Sequence, residues 1–305
     1  MKYIYKLSDR EYKDRFFSTE NFVSKYEIFY NLLNNLNNEE LYRLFNSIND
    51  SQNTLIEHNF YDYKHKVYNN IFNFEFSLDK QYIAKEMSNY LKTREMNIAY
   101  YMLLIGKGNI DISLDNSLLH REEGCVVNLI HYGLYQIVPY IFAKNTEKDI
   151  IIYANTEITK ALIKMMCVIE KKVPKNLIIL SLEYKSVIKA MKMVKRGAIL
   201  IVMPEIDLGS SQKKQENKAK INFFGKKLLV PIGTQKIASK TGVDSYSLCI
   251  EEQQSKILVD ISKININSDV YASVVELWDN IEKTVKNKPY KWTIWERIDE
   301  LLYEE

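Results

Sequence analysis

From Gly124 to Met203, short uninterrupted apolar runs alternate with longer stretches in which apolar positions recur every three or four residues. The runs are Cys125–Ile130, Asp149–Tyr153, Leu177–Ser181 and Ala198–Met203. Between them lie 132–144, 156–171 and 184–195, which read as helices. A run with no polar alternation suits a strand buried on both faces, and helices between such strands suit crossover connections. The expected class is α/β, with a mostly parallel central sheet flanked by helices. Upstream, Phe22, Tyr26, Phe29, Leu32 and Leu33 fall at helical spacing, as do Glu39, Glu40, Leu41, Leu44 and Phe45. The same periodicity continues over 53–74 and 79–104, and there is no Gly or Pro before Gly106. Residues 1–105 are therefore expected to be a helical N-terminal portion, and 106–305 the α/β part, the two forming one continuous unit. Pro174, within Lys172–Lys175, reads as a helix exit. Past Pro204 the chain turns polar and then returns as strands near 219–230 and 243–264. A helix over 233–241 ends at Gly242, a residue suited to a C-terminal cap. Residues 268–284 and 290–304 read as helical again. No internal repeat is visible.

Composition narrows the class without choosing a function. The 305 residues are 46% apolar and 27% charged, ordinary for a globular protein. Disorder, collagen and disulfide scaffolds are excluded. Cys125, Cys167 and Cys249 form no CxxC and no zinc pattern, so they read as small hydrophobes in a reducing compartment. No metal site and no resident cofactor is expected. The first residues are charged and lack the apolar stretch of a signal peptide, and no run approaches the length of a membrane helix. The expected location is cytoplasmic, with a membrane surface as a further contact. The net charge of +3 hides an uneven distribution. Residues 1–124 carry 15 Lys and Arg against 18 Asp and Glu, and the remainder carries 27 against 21.

Of the four histidines, His58 and His65 lie in polar helical sequence and His120 on a charged loop. His131 stands apart. It follows the run CVVNLI at the carboxyl end of a predicted buried strand, where ligands of open α/β sheets bind. Gly133 and a predicted helix come next. A helix N-terminus there would disfavour imidazolium and keep the ring neutral, as a general base requires.

The segment GCVVNLIHYGLYQIVPY resembles the strand and active-site turn of the bacterial lipid A biosynthesis acyltransferases, within the lysophospholipid acyltransferase superfamily. Three further segments are similar in the same order: VKRGAILIVMPEID at 194–207, INFFGKKLLVPIGTQKIASKTG at 221–242 and PYKWTIWER at 289–297. The resemblance covers about 120–300 and implies a sheet of that superfamily's type. It implies that His131 deprotonates a hydroxyl or amine of the acceptor, which attacks an acyl thioester. The donor would be an acyl-carrier protein, through its phosphopantetheine, or acyl-CoA. The acceptor would be a small molecule or a lipid. Tyr132, Gly133, Leu134 and Tyr135, with Phe223, Gly225 and Gly233, are the substrate-binding positions it implies.

The chain departs from that family at two places. The family places an acid after four residues beyond its His, and here the position holds Gln136. An amide can orient the ring but supplies no charge. In a serine protease the comparable change costs about 10⁴ in rate. Three readings follow: a slow or specialised transferase, an altered position that traps a ligand, or a catalytically impaired relative that binds acyl carrier or lipid and supports a partner enzyme. Glu205 and Asp207 follow the strand ending at Met203, on the same sheet edge as His131, and are candidate substitute acids; loop capping is the plainer role for them. The second departure is the polar opening MKYIYKLSDREYKDRFFSTE, where the family carries a membrane anchor. A soluble acceptor is then expected ahead of lipid A, with a glycolipid at the membrane surface as the alternative.

Lysines cluster at Lys213, Lys214, Lys218, Lys220, Lys226 and Lys227, against one Glu between Gly209 and Lys227. A basic rim of this kind would steer an acidic carrier protein or CoA, and a solvated loop is the simpler alternative. Nucleic acid is not an expected partner, because no aromatic platform, helix-turn-helix or phosphate loop accompanies the charge.

Overall fold

The computed structural model describes residues 35–51, 66–115, 117–154, 174–181, 183–206, 217–253, 256–266 and 269–303. Seven strands form one sheet: β1 (Asp111–Ser113), β2 (Cys125–Leu129), β3 (Ile150–Tyr153), β4 (Leu177–Leu180), β5 (Ile199–Val202), β8 (Asp244–Gln253) and β9 (Lys256–Ile264). Their spatial order is β1-β9-β8-β2-β5-β3-β4. β8, β2, β5, β3 and β4 run parallel; β9 is antiparallel to β8, and β1 follows β9. β6 (Lys218–Phe223) and β7 (Lys226–Pro231) pair only with each other. The fold is α/β around a mostly parallel seven-stranded sheet.

The helices are α1 (Asn38–Ser51), α2 (Lys80–Lys107), α3 (Ser117–His120), α4 (Val138–Asn145), α5 (Tyr184–Val194), α6 (Gly233–Thr241) and α7 (Val270–Asn287), with helical residues also at 66–72. Alternate residues of β2 serve opposite faces of the sheet. Cys125, Val127 and Leu129 pack with α4 and the C-terminal half of α2, and Val126 packs with α5 and α6. Burial on both faces is why β2, β3 and β5 read as unbroken apolar runs. The one polar residue within β2, Asn128, is fully satisfied. Its Nδ2 donates to Ser245 Oγ and Tyr246 O, both at 2.8 Å, and its Oδ1 accepts from Gln235 Nε2 at 3.3 Å.

The chain leaves β2 through α4 toward β3 on one side, and leaves β5 through the hairpin and α6 toward β8 on the other. β2 and β5 are neighbours, so their connections diverge in opposite directions. In doubly wound sheets, ligands bind beyond the carboxyl ends of neighbouring strands whose connections leave in opposite directions, and β2 and β5 are such a pair.

A third packing centre lies outside the sheet. Phe223, Trp278, Trp292 and Trp295 are its buried centre, with Val67, Ile71, Phe74, Ile83 and Met87 of the preceding helical region around them. The described helices of the first 107 residues thus share cores with the strands.

Three expectations need correcting. The strands near 219–230 do not join the sheet; they form a hairpin that lays one face on the aromatic cluster. Its two-residue turn holds Phe224 at φ 45° and Gly225 at φ 75°, the left-handed pair that matches strand twist. The stretch 290–304 is not one helix. Trp292 is extended, at φ −86° and ψ 119°, between 3₁₀ turns Pro289–Lys291 and Thr293–Glu300, because it pairs as a β-bridge with Tyr132. The helix expected over 132–144 begins only at Val138, after a turn and a 3₁₀ segment at Tyr135–Ile137. The helix read at 156–171 and the pattern at 22–33 lie outside the described residues. No helix among the described residues is long and apolar enough to cross a membrane.

α2 starts where Asp79, extended at ψ 135°, accepts the backbone N–H of Tyr82 at 2.9 Å. Asp79→Ala is expected to cost about 1 kcal/mol of unfolding free energy. The check is a lower urea midpoint with an unchanged denaturant slope.

Candidate active site

β2 and β5 are in register with Asn128 opposite Val202. Three residues beyond that pair on each strand stand His131 and Glu205. The two strands therefore deliver an imidazole and a carboxylate to the same point of the sheet edge. Glu205 Oε2 lies 3.0 Å from His131 Nδ1, and Oε1 accepts the backbone N–H of His131 at 2.9 Å. A third donor comes from the C-terminal segment: Trp292 Nε1–H reaches Oε1 at 3.1 Å.

Glu205 is 3% exposed, and burial alone would push its carboxyl group up. The neighbouring His131 and the bonds from its ring, its backbone and Trp292 outweigh that effect, and hold the Glu205 pKa below the ordinary value. Glu205 is thus ionised at neutral pH and can only accept. Its Oε2 then accepts the Nδ1–H of His131, and in the neutral form of that ring Nε2 is the acceptor. The helix expected directly after Gly133 begins only at Val138, and the group beside the ring is the Glu205 carboxylate instead.

The turn carrying His131 is fastened from several sides. His131 O accepts the Thr293 backbone N–H at 2.9 Å and the Thr293 hydroxyl at 3.3 Å. Gly133 N donates to Lys291 O at 3.1 Å, and Gly133 O accepts from the Tyr90 hydroxyl at 2.8 Å. Gly133 has φ 58°, and a Cβ placed there would lie 2.5 Å from Ile250 O. Lys291 in turn pairs with Glu252 at 2.7 Å, and Lys288 pairs with Glu251, tying the end of β8 to the same C-terminal segment.

The other candidate positions fall as follows. The Oε1 of Gln136 is buried and accepts no hydrogen bond, so this amide does not hold the His131 ring. Tyr135 meets that ring edge to face, with centroids 4.7 Å apart. Tyr132 and Leu134 are buried, the first against the aromatic cluster and the second in the sheet core. Phe223 is buried with its ring 5.2 Å from that of Trp292, so it supports the residue that supports Glu205. Gly225 is the hairpin turn, and Gly233 opens α6; an added Cβ would meet nothing within 4 Å at either. Lys218, Lys220, Lys226 and Lys227 lie on the hairpin, with Lys220 4.0 Å from the Tyr303 ring centroid. Asp207, Lys213 and Lys214 lie outside the described residues. Trp292 and Thr293 belong to the PYKWTIWER segment, yet no spacing in the sequence links them to His131 or Glu205.

No model of a known protein family matches the chain, and no curated protein matches it.

Two outcomes test this geometry. Gly133→Ala forces a left-handed backbone and a collision with Ile250 O, and is expected to cost about 1–3 kcal/mol of stability. Thermal and urea unfolding measure it. The second concerns acid. A carboxylate whose folded pKa is depressed adds stability that is complete above its unfolded value, about 4.3, and that is lost as pH falls through the lower folded value. Glu205→Gln lacks that contribution. Its deficit relative to the parent chain is expected to be about 1–3 kcal/mol at neutral pH, and to shrink below about pH 4. A deficit in urea unfolding that stays constant down to about pH 3 would refute the assigned ionisation.

Proposed function

We propose that the chain is an acyltransferase of the lysophospholipid acyltransferase type. It moves an acyl group from a thioester, carried by acyl-carrier protein or CoA, to an amine or hydroxyl of an acceptor. The observation that carries this reading is the His131–Glu205 pair beyond the carboxyl ends of β2 and β5. The parallel sheet and the order of the four similar segments support it. The alternative of an impaired relative rested on the amide at position 136. A buried carboxylate on the same ring, from the turn after a neighbouring strand, supplies the charge that amide lacks and supports the active reading.

In the proposed reaction the acceptor N–H or O–H approaches His131 Nε2. As its nitrogen or oxygen bonds to the thioester carbonyl carbon, Nε2 takes the proton. Glu205 stabilises the imidazolium without itself becoming protonated. The tetrahedral intermediate collapses with cleavage of the C–S bond. The imidazolium returns the proton to sulfur, so that amide or ester and free thiol leave. No enzyme side chain is acylated, and the acceptor supplies the nucleophile. Tyr135 flanks the ring and narrows its approach, which suits an acceptor entering from one direction. A soluble acceptor, or one at a membrane surface, fits this reading, and a cytoplasmic setting supplies the thioester donors.

Thiol release from acyl-CoA and acyl-carrier thioesters, against a panel of amines and alcohols, is the test. His131→Ala is expected to abolish release, and Glu205→Gln to lower it by about 10²–10⁴-fold. Gln136→Ala, whose side chain does not hold the ring, is expected to stay within about tenfold of the parent chain. Release that survives His131→Ala, or that depends on Gln136 more than on Glu205, would refute the assignment.

A further inference from the structure

α5 and α6 lie side by side on one face of the sheet, and neither contains an acidic residue. Together with the turn that ends α5 they carry Lys185, Lys189, Lys192, Lys195, Arg196, Lys236 and Lys240. None of these seven forms an ion pair with a carboxylate among the described residues. Among the described residues Lys236 alone of the seven has a side-chain partner, the amide oxygen of Asn217 at 2.8 Å. Lys185, Lys189, Lys192 and Arg196 follow the spacing i, i+4, i+7 and i+11, so they form one ridge along the exposed side of α5. Tyr184 and Ile188, 79% and 40% exposed, form a shorter apolar ridge beside its N-terminal half.

Helix stability does not account for this arrangement. Like charges at i and i+4 repel, and Lys185 stands in the first turn, where the helix dipole disfavours a cation. α1 shows the opposite pattern, with Glu39 and Arg43 paired at i and i+4. Direction matters as well. α5 and α6 run antiparallel to the parallel strands, so their N-terminal ends lie at the sheet edge that holds His131 and Glu205. The ridge begins at the catalytic edge and extends away from it for about 16 Å.

We propose that the α5–α6 face, led by the ridge Lys185–Lys189–Lys192–Arg196, docks the acidic carrier protein that presents the acyl thioester. This inference rests on the thioester-donor reading above and names the surface that recognises the donor. A negatively charged helix laid along the ridge meets a cation at each turn, while Tyr184 and Ile188 supply apolar contact at the end nearest the site. The carrier's flexible pantetheine arm then reaches over the edge to His131. A lipid surface fits less well. The exposed large apolar side chains of this face are Tyr184 and Ile188, short of the broad apolar side that an interfacial helix buries.

The probe is an acidic acyl-carrier protein of bacterial fatty-acid synthesis, in unacylated and acylated forms, added to the full chain. Lys185→Glu/Lys189→Glu is compared with Lys283→Glu/Lys286→Glu, a matched pair of exposed positions on α7. Carrier binding by fluorescence anisotropy is expected to weaken at least about tenfold in the first variant, and to change less than about twofold in the second. It should also weaken as salt rises. Thiol release from a short, uncharged acyl-N-acetylcysteamine thioester should be the same in both variants. Equal binding by the two variants overturns the surface. So does loss in the first variant of binding to phosphatidylglycerol vesicles but not to the carrier, which makes the face a membrane contact. If the carrier binds at the ridge but no donor gives His131-dependent release, the surface stands and the acyl-transfer reading fails. If release from the carrier proceeds equally in both variants, the reverse holds.

Discussion

The arrangement around His131 depends on keeping one carboxylate charged out of water. Moving Glu205 into the interior costs several kcal/mol, and only well-aimed donors offset it. Three are present. One is the backbone N–H of His131, 74 residues away in the chain; another is the indole of Trp292, 87 residues away. The third is the imidazole itself, so the ring both needs Glu205 and helps to keep it ionised. Removing any one donor leaves the others around a more costly charge, and their contributions are therefore not additive. Much of the C-terminal third serves this arrangement. Trp292 leaves helical geometry to pair with Tyr132, its ring is held by Phe223 and Trp295, and Phe223 ends the first strand of a hairpin that belongs to no larger sheet.

What the sequence makes legible follows from local physics. β2, β3, β4 and β5 stand close to the predicted runs because strands buried on both faces need unbroken apolar residues, and little else produces such runs. α5 and α6 keep their expected bounds for similar reasons, with Gly242 ending α6 in the left-handed conformation, at φ 70°. The hairpin was legible as strands but not as a separate sheet. Its alternation of buried and exposed residues is the same whether the partner surface is a sheet or an aromatic cluster. The helical reading of 290–304 failed at Trp292 because a long-range bridge overrode local preference.

The acid is the sharper case. The resemblance points to position 136, where the residue is an amide. Register across the sheet points to Glu205, because Asn128 and Val202 are paired and the chains run on in parallel. Position on the same sheet edge made Glu205 a candidate from sequence. Only tertiary structure separates it from a loop cap, since both roles place a carboxylate after a strand. Trp292 had no such cue, because an indole at this distance carries no periodic or spacing signal.

A cross-strand acid differs physically from one carried on the turn itself. A partner five residues along would move with the His131 turn and keep its bond through any local displacement. Glu205 sits on the turn after another strand, so the distance to Nδ1 reports how β2, β5 and the C-terminal segment are docked together. The bonds of Thr293 to His131 O and of Lys291 O to Gly133 N oppose just this slippage, by fastening the turn to the segment that also holds Glu205. Trp292, on that segment, couples the two anchor points through one side chain. Anything that displaces the C-terminal segment therefore disturbs the position of the base and the ionisation of its partner together. In the proposed reaction this makes the placement of Nε2 a property of the assembled fold rather than of the motif around His131.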